Sequence, residues 1–312
     1  MGKDKINQVT KFQLEDVVPD TKEGAKNAPE EDIPIEEILA EEDKTIVRDP
    51  RIFDRTASLL PMDVMDADQV RIVGVGGIGR QVALQATAVG IGSIVLYDDD
   101  DISITNVSTQ GYPYEDIELP KIRSLLYSME EINPFSFYLG YEDKFPLEEN
   151  LIVLDGDRES GAIFCCVDQI AARTDIFDRL VSEYIACPLL IDGRMAAETG
   201  RVITVCLDNV DDVAYYRSTL FPPHEQEPEP CTAKATIYCG NFIAALMIKQ
   251  YTRWVQGVLK PNDKYRDMMF SLKTLDIFPF EPPIDKKKPA IKKQNKAKTK
   301  QKGGGKDKNG VK

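Results

Sequence analysis

The hexapeptide Gly74-Val75-Gly76-Gly77-Ile78-Gly79 constrains this chain more than any other feature, because it joins a β-branched run at residues 69–74 to an apolar-faced helical pattern at 77–89. Glycines at G-x-G-x-x-G spacing let a backbone turn tightly after a strand and approach an anion. The helix that follows offers unpaired N–H groups and a partial positive charge to that anion. A turn at 90–92 leads into a second strand-like run at 93–98, which ends on Asp98, 24 residues after Gly74. A carboxylate at that place suits ribose hydroxyls, so the segment reads as a nucleotide site. By itself it fits an NAD(P)-dependent oxidoreductase as well as any other nucleotide-binding protein.

Strand and helix patterns continue to alternate. Residues 121–132 read as an amphipathic helix ended by Asn133-Pro134, 162–167 as an apolar strand, and about 170–185 as a helix. Strands follow at 187–191 and 200–207, and a long apolar-faced helix at 241–258 carries the single Trp254. Such alternation predicts an α/β fold with a Rossmann-like, doubly wound, mainly parallel sheet and helices on both faces. The folded body is expected at 51–283. Before it, residues 1–50 hold 14 acidic and 7 basic residues broken by four prolines. They read as an acidic, mostly disordered arm with a short helix near 35–42. After it, residues 284–312 form a lysine-rich tail almost free of large apolar side chains, also expected to be disordered.

The net charge of −13 is uneven: twelve lysines and two aspartates give residues 285–312 a charge of +10, leaving −23 for the remainder. An acidic body of this kind does not attract nucleic acid, so only the tail is a candidate for such contact. No apolar run approaches the roughly 18 residues a membrane span needs, and the first twenty residues lack a signal-peptide core. The six cysteines include no C-x-x-C pair, several lie in apolar stretches, and His224 is the only histidine. Free thiols in the cytoplasm are therefore expected, without structural zinc or a catalytic histidine.

The residues after the second strand separate the nucleotide readings. The segment from Asp98 through Asp100 and Asn106 to Gln110 resembles the D-x-D-x-V-x-x-x-N-L-x-R-Q pattern of the ThiF/MoeB and ubiquitin-activating family. Lys121 stands where that family has the lysine of its I-G-x-x-K segment, and Asn133-Pro134 matches its I-N-P signature. Cys166-Val167-Asp168-Gln169 with Arg173 resembles C-x-D-N-x-x-x-R, and Arg51 with Arg55 resembles the R-Y-x-R-Q leader. The resemblance spans about 51–260 in the family's order. It implies ATP as substrate, held by Gly74, Gly76, Gly77 and Gly79, by Asp98 at the ribose, and by Asp100, Asn106, Gln110, Lys121 and Gln169. It implies Mg²⁺ on Asp168, and Arg55 reaching the phosphates of a partner subunit in a homodimer. The reaction implied is adenylation of the C-terminal carboxylate of a small ubiquitin-like or sulfur-carrier protein, with a downstream conjugating enzyme as a further partner.

The chain departs from the pattern at two places. Thr109 replaces the arginine of N-x-x-R-Q, for which Arg80 and Arg123 are candidate substitutes, and Gln169 replaces an asparagine. Pro230-Cys231-Thr232-Ala233-Lys234 resembles the segment around the family's nucleophilic cysteine, which implies thioester formation on Cys231. Bland readings stand beside these: a solvated aspartate turn, a surface lysine or arginine, a helix-capping Asp168, an ordinary loop cysteine. Asp192-Gly193-Arg194 is a further candidate for a substrate or phosphate site. The remaining function classes are an oxidoreductase on the same glycine loop and a non-catalytic scaffold of the fold.

Overall fold

The computed structural model describes residues 48–145, 161–182, 187–221 and 235–280. The acidic arm as far as residue 47, the helix expected at 35–42, the lysine-rich tail, His224 and Cys231 lie outside the described residues. A 3-10 turn, Pro50–Phe53, and a short helix α1, Met62–Ala67, precede the first strand. There follow β1 (Gln69–Val73), α2 (Gly79–Val89), β2 (Ser93–Tyr97), α3 (Ile104–Gln110), α4 (Lys121–Ile132) and β3 (Phe137–Tyr141). The chain continues with β4 (Ala162–Cys165), α5 (Ile170–Ser182), β5 (Leu189–Ala196), β6 (Thr199–Cys206) and α6 (Val210–Arg217). It ends with α7 (Ile237–Val255), β7 (Asp267–Ser271) and β8 (Asp276–Pro279).

The eight strands form one sheet in the order β3-β2-β1-β4-β5-β6-β7-β8. β1 pairs in parallel with both β2 and β4, so the winding reverses between β1 and β4. The carboxyl ends of two such strands diverge into separate loops and leave a crevice, the usual ligand site of an open α/β sheet. β1, β2 and β4 are buried along their whole length, which explains their near-continuous apolar sequences. Alternate residues of each strand feed different cores. Ile72, Leu96 and Phe164 pack with Val82 of α2, Leu125 of α4 and Met247 of α7. Val73, Val95 and Cys165 pack with Phe177 of α5 and Tyr216 of α6. Period-two alternation puts these clusters on opposite faces, so helices cover both sides, as the sequence predicts.

The far side of the sheet adds what the sequence pattern does not reveal. β5 through β8 pair antiparallel, extending a parallel sheet of five strands by three. β7 carries Asp267 and two methionines, poor strand formers alone, but Asp267 is buried and bound by Arg201 and Tyr215. Tertiary pairing overrides local propensity there. α7 begins at Ile237, four residues ahead of its expected start, because Thr236 is already extended and serves as its N-cap.

Candidate functional site

The glycine loop is fixed by backbone contacts no side chain would tolerate. Gly74 has φ of +82°, and a Cβ there would stand 3.1 Å from the Cys166 carbonyl at the end of β4. A Cβ on Gly79 would fall 1.8 Å from the Gly74 carbonyl oxygen, so α2 starts hard against the turn. Side chains at these positions would push α2 away from the strand ends and close the space in which its first N–H groups face an anion. Gly76 looks toward the Gln110 amide, 3.9 Å from where its Cβ would be. Gly77 is backed by α7, whose Gly240 would bring a Cβ within 2.2 Å of the Gly77 carbonyl oxygen, and by the Met195 methyl at the end of β5.

Asp98 leaves the end of β2 and folds back onto this loop. Its Oδ2 accepts the Val75 N–H at 2.7 Å and its Oδ1 the Asp100 N–H at 3.0 Å. Lys121 Nζ lies 2.7 Å from Asp100 Oδ2 and 3.7 Å from Asp98 Oδ1. Lys121 is only 5% exposed, which is uncommon for a lysine in the first turn of a helix. Its backbone is also held, its N–H donating to the Asp100 carbonyl at 3.1 Å, while Asp101 bridges Pro120. Burial pushes the Asp98 carboxyl above its ordinary value, opposed by Lys121 and the two N–H donors. Two carboxylates against one ammonium leave the cluster with excess negative charge.

The other expected residues differ in their settings. Gln110 stands over Gly76 with its Oε1 buried and without a hydrogen-bond partner, while its carbonyl accepts from Gln81 Nε2 at 2.7 Å. Asn106 accepts the Ser103 N–H at 2.8 Å and so fixes the start of α3. Asp168 and Gln169 are exposed just beyond β4, beside the glycine turn that Cys166 and Val167 touch. Arg173 donates to the Asp168 carbonyl at 2.8 Å, which anchors that loop. Arg55 is exposed ahead of α1. Arg123 is paired with Glu142 at 2.6 Å, whereas Arg80 is buried one residue after Gly79. Thr109 donates to Thr105 O at 2.7 Å, and its own carbonyl lies 3.8 Å from the Gly77 Cβ position.

Asp192 and Arg194 belong elsewhere. Asp192 is wholly buried in β5 and accepts from Arg173 Nε at 3.0 Å, Arg194 Nε at 2.7 Å and the Tyr216 hydroxyl at 3.1 Å. Complete burial alone would raise its pKa, but the two arginines hold it below the ordinary value. This network ties α5, β5 and α6 together, with both Asp192 oxygens already accepting hydrogen bonds. Tyr112, which no sequence signal marks, is buried with its hydroxyl on Val75 O at 2.8 Å, a prop for the glycine loop. The Ser103–Asn106 spacing was the kind of cap signature a reader of the sequence can find.

A sequence model of the ThiF family matches residues 55–293. Sulfur carrier protein ThiS adenylyltransferase of Escherichia coli (strain K12) is 30% identical over 109 residues, 35% of this chain and 42% of that protein. Ubiquitin-like modifier-activating enzyme 5 of Caenorhabditis briggsae is 30% identical over 154 residues, 45% of this chain and 34% of that protein. The chain thus spans less than half the length of these curated relatives. Among solved structures, PaaA superposes with a TM-score of 0.57 at 18% identity, covering 79% of this chain and 80% of that one. Escherichia coli MccB with succinimide gives 0.54 at 16% identity, covering 75% and 72%. At such identities the two structures share the fold.

Proposed function

Because the chain belongs to the ThiF family, we propose that it is an ATP-dependent adenylyltransferase acting on the C-terminal carboxylate of a small ubiquitin-like or sulfur-carrier protein. The observation that carries this reading is Lys121, a buried ammonium within 3.7 Å of both Asp98 and Asp100 beside the glycine turn. A dehydrogenase needs an acid for the ribose but no buried cation at its side. A compact point charge suits polyphosphate oxygens. The unpartnered Gln110 Oε1 over Gly76 fits the same ligand, since its amide must turn to present its N–H₂ to a phosphate.

In the proposed reaction a carboxylate oxygen attacks the α-phosphorus of ATP, the bond to the β-phosphate oxygen breaks, and pyrophosphate leaves with that bond's electron pair. Lys121 and the α2 N-terminus neutralise the phosphates and hold them in line, which supplies most of the rate in phosphoryl chemistry. On this reading Asp168 would hold Mg²⁺. The described residues contain no cluster of three or more acidic, histidine or cysteine side chains that could hold a metal ion, so phosphates and water would supply the ion's other oxygen ligands, and the ion would neutralise charge on the leaving pyrophosphate.

A thioester step follows on the same reading. Burial pushes the Cys165 and Cys187 thiols up to about 12 and Cys206 to about 11, with Cys166 and Cys239 also raised. Those five are poor thiolates. Cys231 is the remaining cysteine, four residues ahead of Ala235, which bridges Ala197 after β5. Its thiolate would displace AMP from the acyl-adenylate, having lost its proton to solvent. Arg55, exposed ahead of α1, is assigned to the phosphates of a second subunit in a homodimer, and delivery to a conjugating enzyme in the cytoplasm completes the proposal.

The test is ATP–pyrophosphate exchange with a carrier ending in Gly-Gly, run beside an NAD-binding assay. Carrier-dependent exchange is expected; nicotinamide binding without exchange overturns the reading. In Cys231→Ser, exchange stays intact and the reducing-agent-sensitive carrier adduct disappears. An adduct that survives moves the nucleophile to another residue.

A further inference from the structure

Arg80 stands one residue beyond the last glycine of the loop, in the first turn of α2, and is 8% exposed. Long side chains on a helix lean toward its N-terminus, so this guanidinium lies back toward the end of α2 that faces the loop. It stacks on Tyr112, 4.8 Å from the ring centroid, and its Nη1 is 3.3 Å from the Cβ position of Gly111. The same tyrosine donates its hydroxyl to Val75 O inside the loop. One aromatic ring therefore separates the charge from the glycine turn.

The charge is left without a counter-ion. Among the described residues no carboxylate forms an ion pair with Arg80, and its buried Nε has no hydrogen-bond partner. Asp116, which acts on it from a distance, accepts instead from the Ser124 hydroxyl at 2.6 Å. A guanidinium on a residue only 8% exposed and without an ion-pair partner among the described residues is unfavourable in the free protein, and burial pulls its pKa below the ordinary arginine value. A buried cation left in this condition beside an anion-binding glycine turn marks a place completed by an anionic ligand.

We infer that Arg80 is a buried counter-charge for the phosphates of the bound nucleotide, acting through space and by holding Tyr112 against Val75. This rests on the nucleotide reading above. It makes Arg80 a positioning residue, distinct from Lys121, which stands at the phosphates themselves. The phosphates neutralise a charge that the apo fold carries at a loss, so binding and apo stability respond to its removal with opposite signs.

The full chain is titrated calorimetrically with ATP and, separately, with inorganic tripolyphosphate. In Arg80→Met both affinities are expected to fall about tenfold, about 1.4 kcal/mol. The apo melting temperature should stay level or rise, because an unpaired buried charge has gone. Arg80→Lys keeps the charge and is expected to recover most of the affinity. Unchanged affinity in Arg80→Met, or an affinity loss that comes with a lower apo melting temperature and is shared by Arg80→Lys, overturns the inference. If Arg80→Met does not fold, Arg80→Gln is read by the same criteria. A wild-type chain that binds tripolyphosphate but not ATP sinks the nucleotide reading and leaves the counter-charge standing; one that binds neither removes both.

Discussion

The cluster of Asp98, Asp100 and Lys121 and the cluster of Arg173, Asp192 and Arg194 each bring three charges together against the same sheet, one just beyond the end of β2 and the other between β5 and α5. They are finished to different degrees. Around Asp192 both oxygens are taken, and Arg173 sends its remaining nitrogens to the Asp168 and Gly193 carbonyls at 2.8 and 3.1 Å. Around Lys121 the partner carboxylate of Asp100 has a side chain 67% exposed, and over Gly76 the Gln110 Oε1 is buried with no partner. A closed network stabilises the fold and recognises nothing. An open one can exchange its internal pairs for a ligand's.

The contrast is broken first at Asp192. Asp192→Ala leaves two guanidinium groups facing each other in the interior, where an uncompensated buried charge costs about 3–5 kcal/mol. The melting temperature is expected to fall on the order of 10 °C, read by calorimetry or circular dichroism, and activity to be lost with the fold. A variant that melts like wild type would show that the network is not structural. Lys121→Met goes the other way. Pyrophosphate exchange is expected to drop about 10²–10³-fold, the scale of losing one preorganised charge at a reacting group, with melting shifted by only a few degrees. Equal losses of stability and exchange in this variant would erase the distinction between the clusters.

A smaller effect sharpens it through pH. The Asp98 carboxyl is raised by burial, so its contribution to stability is fully present below the unfolded carboxyl's pKa and is lost as pH rises through the folded one. The Asp192 carboxyl is lowered, so its contribution is present above the unfolded pKa and is lost as pH falls through the folded one. ATP affinity should accordingly fall on the acid side nearer to neutrality than an ordinary aspartate would dictate, before the fold itself weakens. Asp98→Asn is expected to abolish that acid limb in a binding titration. An acid limb that persists assigns the titration to another group.

Much of this was legible because local chemistry set it. The glycine spacing, the carboxylate ending β2 and the amphipathic pattern of α4 each required only neighbours in sequence, and α4 occupies Lys121–Ile132 as its periodicity predicts. β7 and β8 escaped because a strand added to an existing edge draws its stability from that edge, not from its own apolar pattern. α3 escaped because it is short and has no fully buried residue to give it a periodic face. Asp192-Gly193-Arg194 invited a phosphate reading for a similar reason: an aspartate and an arginine after an apolar run look alike whether they face a ligand or Arg173.

By itself the sequence determined the glycine turn after β1, the parallel half of the sheet and the family's order of motifs, since these rest on backbone geometry and short-range periodicity. Only the tertiary structure decided which charges are satisfied. It sealed Asp192 between two arginines, buried Lys121 beside Asp98 and Asp100, and left Arg80 on Tyr112 with no counter-ion among the described residues. Satisfaction of a charge depends on partners tens of residues away and on the exclusion of water, and neither is written in any one segment of the chain.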